Sequence, residues 1–184
     1  AFGNIVGSHA CEEGKIFIEP QGMCVMAGIG AEDGKAVAAL DSVREHLLGK
    51  YGVELLTPCY TVYHKELGEI SSYPPGYKEN GGIFSQSQGW IILAEALSGH
   101  GDRAFQYFME NAPAAQNDRA EIRQLEPYCY GQFTEGKASP FFGRSHVHWL
   151  TGTASTVMVG WMLRVRPFTA IKQSVMECKI FPRQ

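Results

Sequence analysis

The chain has no CxxC pair, no apolar run long enough to cross a membrane and no surplus of positive charge, and each absence removes a class of function. Its five cysteines (Cys11, Cys24, Cys59, Cys129, Cys178) are odd in number and far apart. That pattern argues against a disulfide framework and for reduced thiols in a cytoplasmic protein. The apolar stretches fall well short of a spanning helix, so no membrane segment is expected. A formal net charge of −3, with basic residues scattered except near the end, gives no general attraction for nucleic acid or an anionic membrane. Neither is an expected partner. The first residues, Ala1-Phe2-Gly3-Asn4, have neither an initiator Met nor a basic leader, which points to a fragment or a processed chain.

What is present is an ordinary globular composition, 184 residues with 45% hydrophobic and 19% charged, enough for one sizeable core. The run Lys15-Ile16-Phe17-Ile18-Glu19 is β-like and is expected to stop at Pro20. An apolar helix is expected over 23–29. After the glycine-rich break at 30–34, Ala36, Val37, Ala39, Leu40, Val43, Leu47 and Leu48 have helical spacing, bracketed at the end by Gly49 and Gly52. This unit recurs. Gln21 falls on Gln88, Ala27 on Ala94 and Gly34 on Gly101, a gapless offset of 67 residues, and a third copy starts at Thr151-Gly152. Each copy reads as polar turn, apolar inner helix, glycine-rich turn and amphipathic outer helix. Such pairs cannot bury their apolar faces alone and stack on neighbours. Spacings this long predict an all-α fold, part of an α/α toroid with its inner helices starting at one end and its long loops gathered there.

Three stretches carry candidate chemistry. Trp149-Leu150-Thr151-Gly152-Thr153-Ala154-Ser155 is a polar turn running into an apolar helix. Unpaired N–H groups and the helix dipole suit such a start to an anion, although an ordinary Thr N-cap reads the same way. The long loop 60–82 mixes Tyr60, Tyr63, Tyr73 and Tyr77 with Lys65, Lys78, Glu66, Glu69, Glu79 and Asn80. Aromatic faces beside carboxylates and amines suit sugar rings and their hydroxyls, and equally a solvated surface loop. The stretch 126–133, with Glu126, Tyr128, Tyr130 and Gln132, has similar chemistry. His146-Val147-His148 lacks the further ligands of a metal centre, so no metal site is expected. Neither Cys11 nor Cys129 has a histidine placed to activate it, and no carboxylate among Glu69, Glu79 and Glu126 shows the signature of a general acid.

The strings Glu12 to Gln21, Leu67 to Phe84, Asn117-Asp118-Arg119-Ala120-Glu121 and Trp149 to Ser155 resemble the family 94 glycoside phosphorylases over about residues 1–160. The likeness is greatest to the chitobiose-cleaving branch, with the cellobiose-cleaving branch next. The resemblance implies the C-terminal part of an (α/α)6 toroid catalytic domain over 1–160, followed by an atypical tail at 161–184. It implies phosphorolysis of a β-1,4-disaccharide by inorganic phosphate with inversion, giving an α-sugar 1-phosphate and a monosaccharide. No metal or organic cofactor is implied, and the complete enzyme is expected to be a homodimer. By position, Thr151 and Gly152 match the phosphate-binding pair, Glu69, Tyr73 and Lys78 match acceptor-sugar contacts, and Gln132 matches a donor-sugar contact.

Three departures qualify that expectation. Gln86 stands where the family carries a phosphate-site His, and an amide keeps a donor but cannot become cationic. The Trp- and Asp-rich motif that holds the family's catalytic Asp has no counterpart in these residues, nor has an earlier phosphate-binding Arg. The tail from Met162 onward does not match. The chain is therefore expected to hold phosphate and sugar contacts without a general acid. The alternative is a non-catalytic carbohydrate-binding helical scaffold. An inverting hydrolase, a third reading, has no need of the Thr-Gly anion turn.

Overall fold

The first repeat opens with a two-residue strand, β1 (Ile16–Phe17), which passes directly into helix α1 (Ile18–Met26). The computed structural model describes residues 3–147, 152 and 153. Pro20 does not stop the strand, as the sequence suggested, but is the third residue of α1. The first turn of a helix has no intrahelical acceptor for its N–H groups, so a proline costs nothing there. At the other end α1 stops at Met26 rather than continuing to Ile29, because Gly28 turns left-handed at φ +78°. The Gly28 N–H donates to the Val25 carbonyl and the Ile29 N–H to that of Cys24, which satisfies the last carbonyls.

Helix α2 (Lys35–Ser42) follows, then a π-helical turn (Val43–Leu47) that ends the helical pattern one residue before Leu48. The hairpin of β2 (Leu48–Gly49) and β3 (Gly52–Val53) comes next, then β4 (Leu56–Thr57), antiparallel to β1. The second repeat has β5 (Ile83–Phe84), helix α3 (Ser85–Leu97) and helix α4 (Gly101–Asn111). Both strand and helix starts keep the 67-residue offset, Ile16 to Ile83 and Ile18 to Ser85. The offset fails at the inner-helix end. Relative to that alignment α3 runs a turn further than α1, to a cap at Gly99 (φ +84°), where the His100 N–H donates to the Glu95 carbonyl. A short helix α5 (Ala120–Arg123) leads to β6 (Phe133–Thr134) and β7 (Ser145–His146).

The expectation of an all-α chain was too strict. Helices dominate, but three small antiparallel sheets stand among the described residues: β1 with β4, β2 with β3, and β5, β6 and β7 in that order. Two-residue strands cannot form a layer of their own. They clasp loops to the helix starts. Among the described residues no helix is long and apolar enough to cross a membrane.

Helix α3 is sandwiched between α1 and α4, which is why Ile91, Ile92, Ala94 and Ala96 are all fully buried on it. A helix apolar on every side needs neighbours on every side. The approach of α1 depends on Gly22, where an added methyl would lie 3.6 Å from the Trp90 backbone carbon and Cβ. Beyond α3, the buried Gln88 side chain acts as a strand. Its Oε1 accepts from the Val53 N–H (2.9 Å) and its Nε2 donates to the Val53 carbonyl (2.8 Å). The core closes with Leu40, Val43 and Leu47 against Leu55, Ala104 and Tyr107.

Gly22→Ala is expected to unfold at the wild-type urea midpoint or slightly above it, since the methyl fits at an ordinary contact distance and alanine favours a helix. Gly22→Leu is expected to cost about 1–3 kcal/mol by prying α1 from α3. Equal midpoints for the two variants would contradict the close approach.

Candidate functional site

Helix α3 starts at Ser85, and three segments meet there. The Ser85 N–H donates to the Gln132 carbonyl (3.1 Å) and its hydroxyl to the Gly131 carbonyl (2.7 Å). The Gln132 N–H in turn donates to the carbonyls of His146 (2.9 Å) and Val147 (2.8 Å). Val147 is held at φ +56°, a left-handed conformation that a β-branched residue rarely adopts. Gly152 packs onto the same junction. A Cβ on it would sit 2.8 Å from the Ser85 Cβ and 2.9 Å from the Gly131 carbonyl oxygen, so only glycine permits the approach. Gly152 is buried, and with Thr153 it is helical, which agrees with a helix start in the third repeat.

Of the residues singled out from sequence, the fold therefore brings Gln86, Gln132 and Gly152 to one place. Gln86 is the second residue of α3 and is exposed, at the positive end of the helix dipole. Thr151 lies outside the described residues, as do His148 and the tail 161–184.

Two arginines behind this junction carried no functional reading in the sequence. Arg123, almost wholly buried, donates to the carbonyls of Leu125, Glu126 (2.8 Å) and Cys129, and so shapes the loop that delivers Gly131 and Gln132. Arg119 donates to the Glu110 carbonyl (3.1 Å) and lies over the Tyr51 ring, 4.3 Å from its centroid. Burial lowers both guanidinium pKa values from the ordinary range, and it raises that of Glu110. Both arginines, Glu110, Ser85 and Gly131 line a polar cavity of about 10 Å³, the size of a single water. Arginine remains cationic at that burial, which places positive charge behind the turn.

The long loop is a built structure rather than a solvated one. Asn80, fully buried, accepts from the Tyr60 N–H (2.8 Å) and donates to the carbonyls of Tyr60 (2.8 Å) and Tyr73 (2.7 Å). Tyr77 sets its ring edge against Phe133 and His146, which seats the loop on β6 and β7 beside Gln132. Lys78, at φ +47°, holds its Nζ 5.3 Å from the Tyr73 ring centroid, so two of the three expected acceptor-sugar residues adjoin. Glu69 does not join them. It is exposed on a 3₁₀ segment (Lys65–Ser71), and among the described residues no hydrogen bond or ring contact links its side chain to Tyr73 or Lys78. Glu79 and Glu126 are exposed as well.

On its far side the loop meets the N-terminal segment at Glu13. The Glu13 carboxylate accepts from the Thr61 N–H (2.9 Å) and hydroxyl, and lies 3.3 Å from His64 Nε2. The Thr61 hydroxyl bond, followed by its N–H and by His64, holds Glu13 below the usual carboxylate range against the opposing cost of burial. Glu13 and His64, with Tyr60, Glu66 and Leu67, line an open cavity of about 330 Å³. Glu19, the counterpart of Gln86 in the first repeat, lines a neighbouring cavity of about 410 Å³ with Phe17 and Gln21, and burial raises its pKa. Its helix-start position was readable from the repeat; its burial was not.

His146 is held within the sheet by two neighbours. It stacks on Phe133 at 11° and its Nε2 lies 2.6 Å from Glu135 Oε1. Among the described residues no group of His, Cys, Asp or Glu side chains is arranged to hold a metal ion. Arg144 donates to the same Glu135 oxygen from Nε (3.0 Å) and Nη2 (2.7 Å), and the Ser139 hydroxyl donates to the other. Burial pushes the Glu135 carboxyl up, but these hydrogen bonds and the Arg144 charge outweigh it and hold the group below its ordinary value.

Residues 1–164 match the model of the glycosyl hydrolase 94 superfamily, catalytic domain. The chain is similar to N,N'-diacetylchitobiose phosphorylase of Vibrio proteolyticus, 35% identical over 159 residues, which is 86% of this chain and 19% of that protein. It is similar in the same way to the Vibrio furnissii enzyme of that name, 36% identical over 159 residues, again 86% and 19%. Solabiose phosphorylase of Paenibacillus borealis is 33% identical over 162 residues, 88% of this chain and 20% of that protein. The chain thus spans about a fifth of the length of the curated relatives it matches.

The Glu135 network makes a pH prediction. A carboxylate whose folded pKa lies below its unfolded value of 4.5 adds stability that is complete above that pH and is lost as pH falls through the folded value. Glu135→Gln is expected to cost about 2–3 kcal/mol at pH 7. The gap to wild type should close as urea midpoints are followed from pH 5 to pH 3. A gap unchanged over that range would contradict the network's charge.

Proposed function

The chain belongs to the glycosyl hydrolase 94 superfamily, and on that premise we propose that it is part of an inverting glycoside phosphorylase and carries the phosphate and sugar contacts. The substrate is diacetylchitobiose or a related β-1,4-disaccharide, and the products are an α-sugar 1-phosphate and a monosaccharide. The observation that carries the reading is the junction at Ser85. There Gly152, the glycine of the anion turn, packs against the start of α3 and the Gly131 carbonyl, beside Gln86 and Gln132. Phosphate sits at the Thr151-Gly152 helix start, with Gln86 as a neutral donor. Tyr73 and Lys78, with Glu69 beyond them, meet the acceptor sugar, and Gln132 meets the donor.

In this reading phosphate attacks the anomeric carbon from the face opposite the glycosidic oxygen, and an Asp protonates that oxygen as the bond breaks. These 184 residues contain no counterpart of the Asp motif, so the chain by itself binds and does not catalyse. The complete enzyme is an (α/α)6 toroid, a cytoplasmic homodimer needing no metal or organic cofactor. That Gln86 is exposed and cannot become cationic favours a second reading, a carbohydrate-binding scaffold that has given up phosphorolysis.

Calorimetric titration with diacetylchitobiose, with and without phosphate, separates the two. The phosphorylase reading expects phosphate to tighten sugar binding at least about fivefold. Sugar affinity indifferent to phosphate would support the scaffold. Gly152→Ala is expected to abolish the coupling, since its Cβ collides with Ser85 and with the Gly131 oxygen. The purified 184-residue chain is expected to release no sugar 1-phosphate. Release of N-acetylglucosamine 1-phosphate from diacetylchitobiose by this chain would overturn the assignment of the acid to residues outside it.

A further inference from the structure

Helix α4 ends at Asn111, and its last turn is tied to the segment that follows. Gln116 Nε2 donates to the Glu110 carbonyl (3.0 Å), and Arg119 Nη2 donates to the same oxygen (3.1 Å). From within the helix Gln106 Nε2 donates to Glu110 Oε1 (2.8 Å). Three buried atoms at this joint have no hydrogen-bond partner among the described residues: Glu110 Oε2, Asn111 Nδ2 and Arg119 Nε. All three residues line the polar cavity of about 10 Å³ that Ser85 also lines. Folded proteins pair nearly all of their buried polar groups, so three such atoms around one cavity point to a common partner.

We propose that this cavity is a binding site for one internal water, which accepts from Asn111 Nδ2 and Arg119 Nε and donates to Glu110 Oε2. The donor set selects the occupant. Two N–H donors, one of them on a guanidinium, turn away a cation. An anion would lie against the Glu110 carboxylate. A neutral group that both accepts and donates satisfies all three atoms, and the cavity has the volume of a single water. The hydroxyls of Thr134 and Ser145, 2.7 Å apart, line the same cavity and take the second hydrogen. The water thus joins the end of α4 to Arg119, whose guanidinium lies over the Tyr51 ring, and to the strands that carry Gln132 and His146. It fixes the positive charge behind the junction at Ser85. The inference uses no part of the proposed chemistry.

Crystals of the protein soaked in sodium bromide test the site directly. Expected is one density peak within about 2.7–3.2 Å of Asn111 Nδ2, Arg119 Nε and Glu110 Oε2, with no anomalous signal from bromide. A bromide signal at that point assigns the cavity to an anion and overturns the proposal. So does a structure in which the three atoms bond to protein groups, or one with no density between them. In solution Asn111→Leu keeps the side-chain volume and removes one donor, so its urea midpoint is expected to fall below that of wild type. A midpoint equal to wild type or above it would show that the site needs no donor there, which also overturns the proposal.

Discussion

Ser85 is where the structure comes together. Its N–H holds the Gln132 carbonyl, its hydroxyl holds that of Gly131, and its Cβ is the wall against which Gly152 packs. One small polar residue thus joins two other segments, the 131–132 loop and Gly152, to the start of α3, and a larger one would displace Gly152. The remainder of the fold positions this residue. Helix α3 is clamped by α1 at Gly22 and tied to β3 through Gln88, so its first turn has no freedom to drift.

Charge is arranged around the junction at two depths. Near the surface the exposed Gln86 is polar and carries no formal charge. Behind it Arg119 and Arg123 contribute positive charge but spend their hydrogen bonds on backbone carbonyls. Those bonds shape the 125–131 loop, and they make the arginines part of the frame rather than groups that move onto a ligand. Under the proposed function, phosphate affinity would rest on oriented N–H groups and a fixed background potential, and its pH dependence would follow the second ionisation of phosphate rather than a histidine.

The repeat was legible in the sequence because its starts are set by short local patterns. Ile-Phe before a helix, Gln-Gly in its first turns and Gly34 or Gly101 at the edge of the outer helix all recur at one offset, and the strand and inner-helix starts keep it. The inner-helix ends were not legible, because a cap forms wherever a glycine first turns left-handed, at Gly28 in one copy and Gly99 in the other. Apart from β1, which lies inside the β-like run 15–19, the small strands escaped notice for a related reason. Two residues of strand are too few for a period-two pattern. Gln86, Gln132 and Gly152 were singled out through position within repeats and resemblance, and the fold sets them around Ser85. Asn80 was named only as one polar residue of the long loop, and Arg123 and Glu135 not at all, because their role is to satisfy backbone or buried charge across distant segments, which no local pattern encodes.

The central claim is that Gln86, Gln132 and Gly152 form one ligand site organised by Ser85. Amide NMR of the 184-residue chain titrated with phosphate tests it most directly. The account predicts that the three amides shift together along a single binding curve, and that Ser85→Ala removes the shared response. Amides that follow different curves, or shifts confined to residues away from the start of α3, would contradict it.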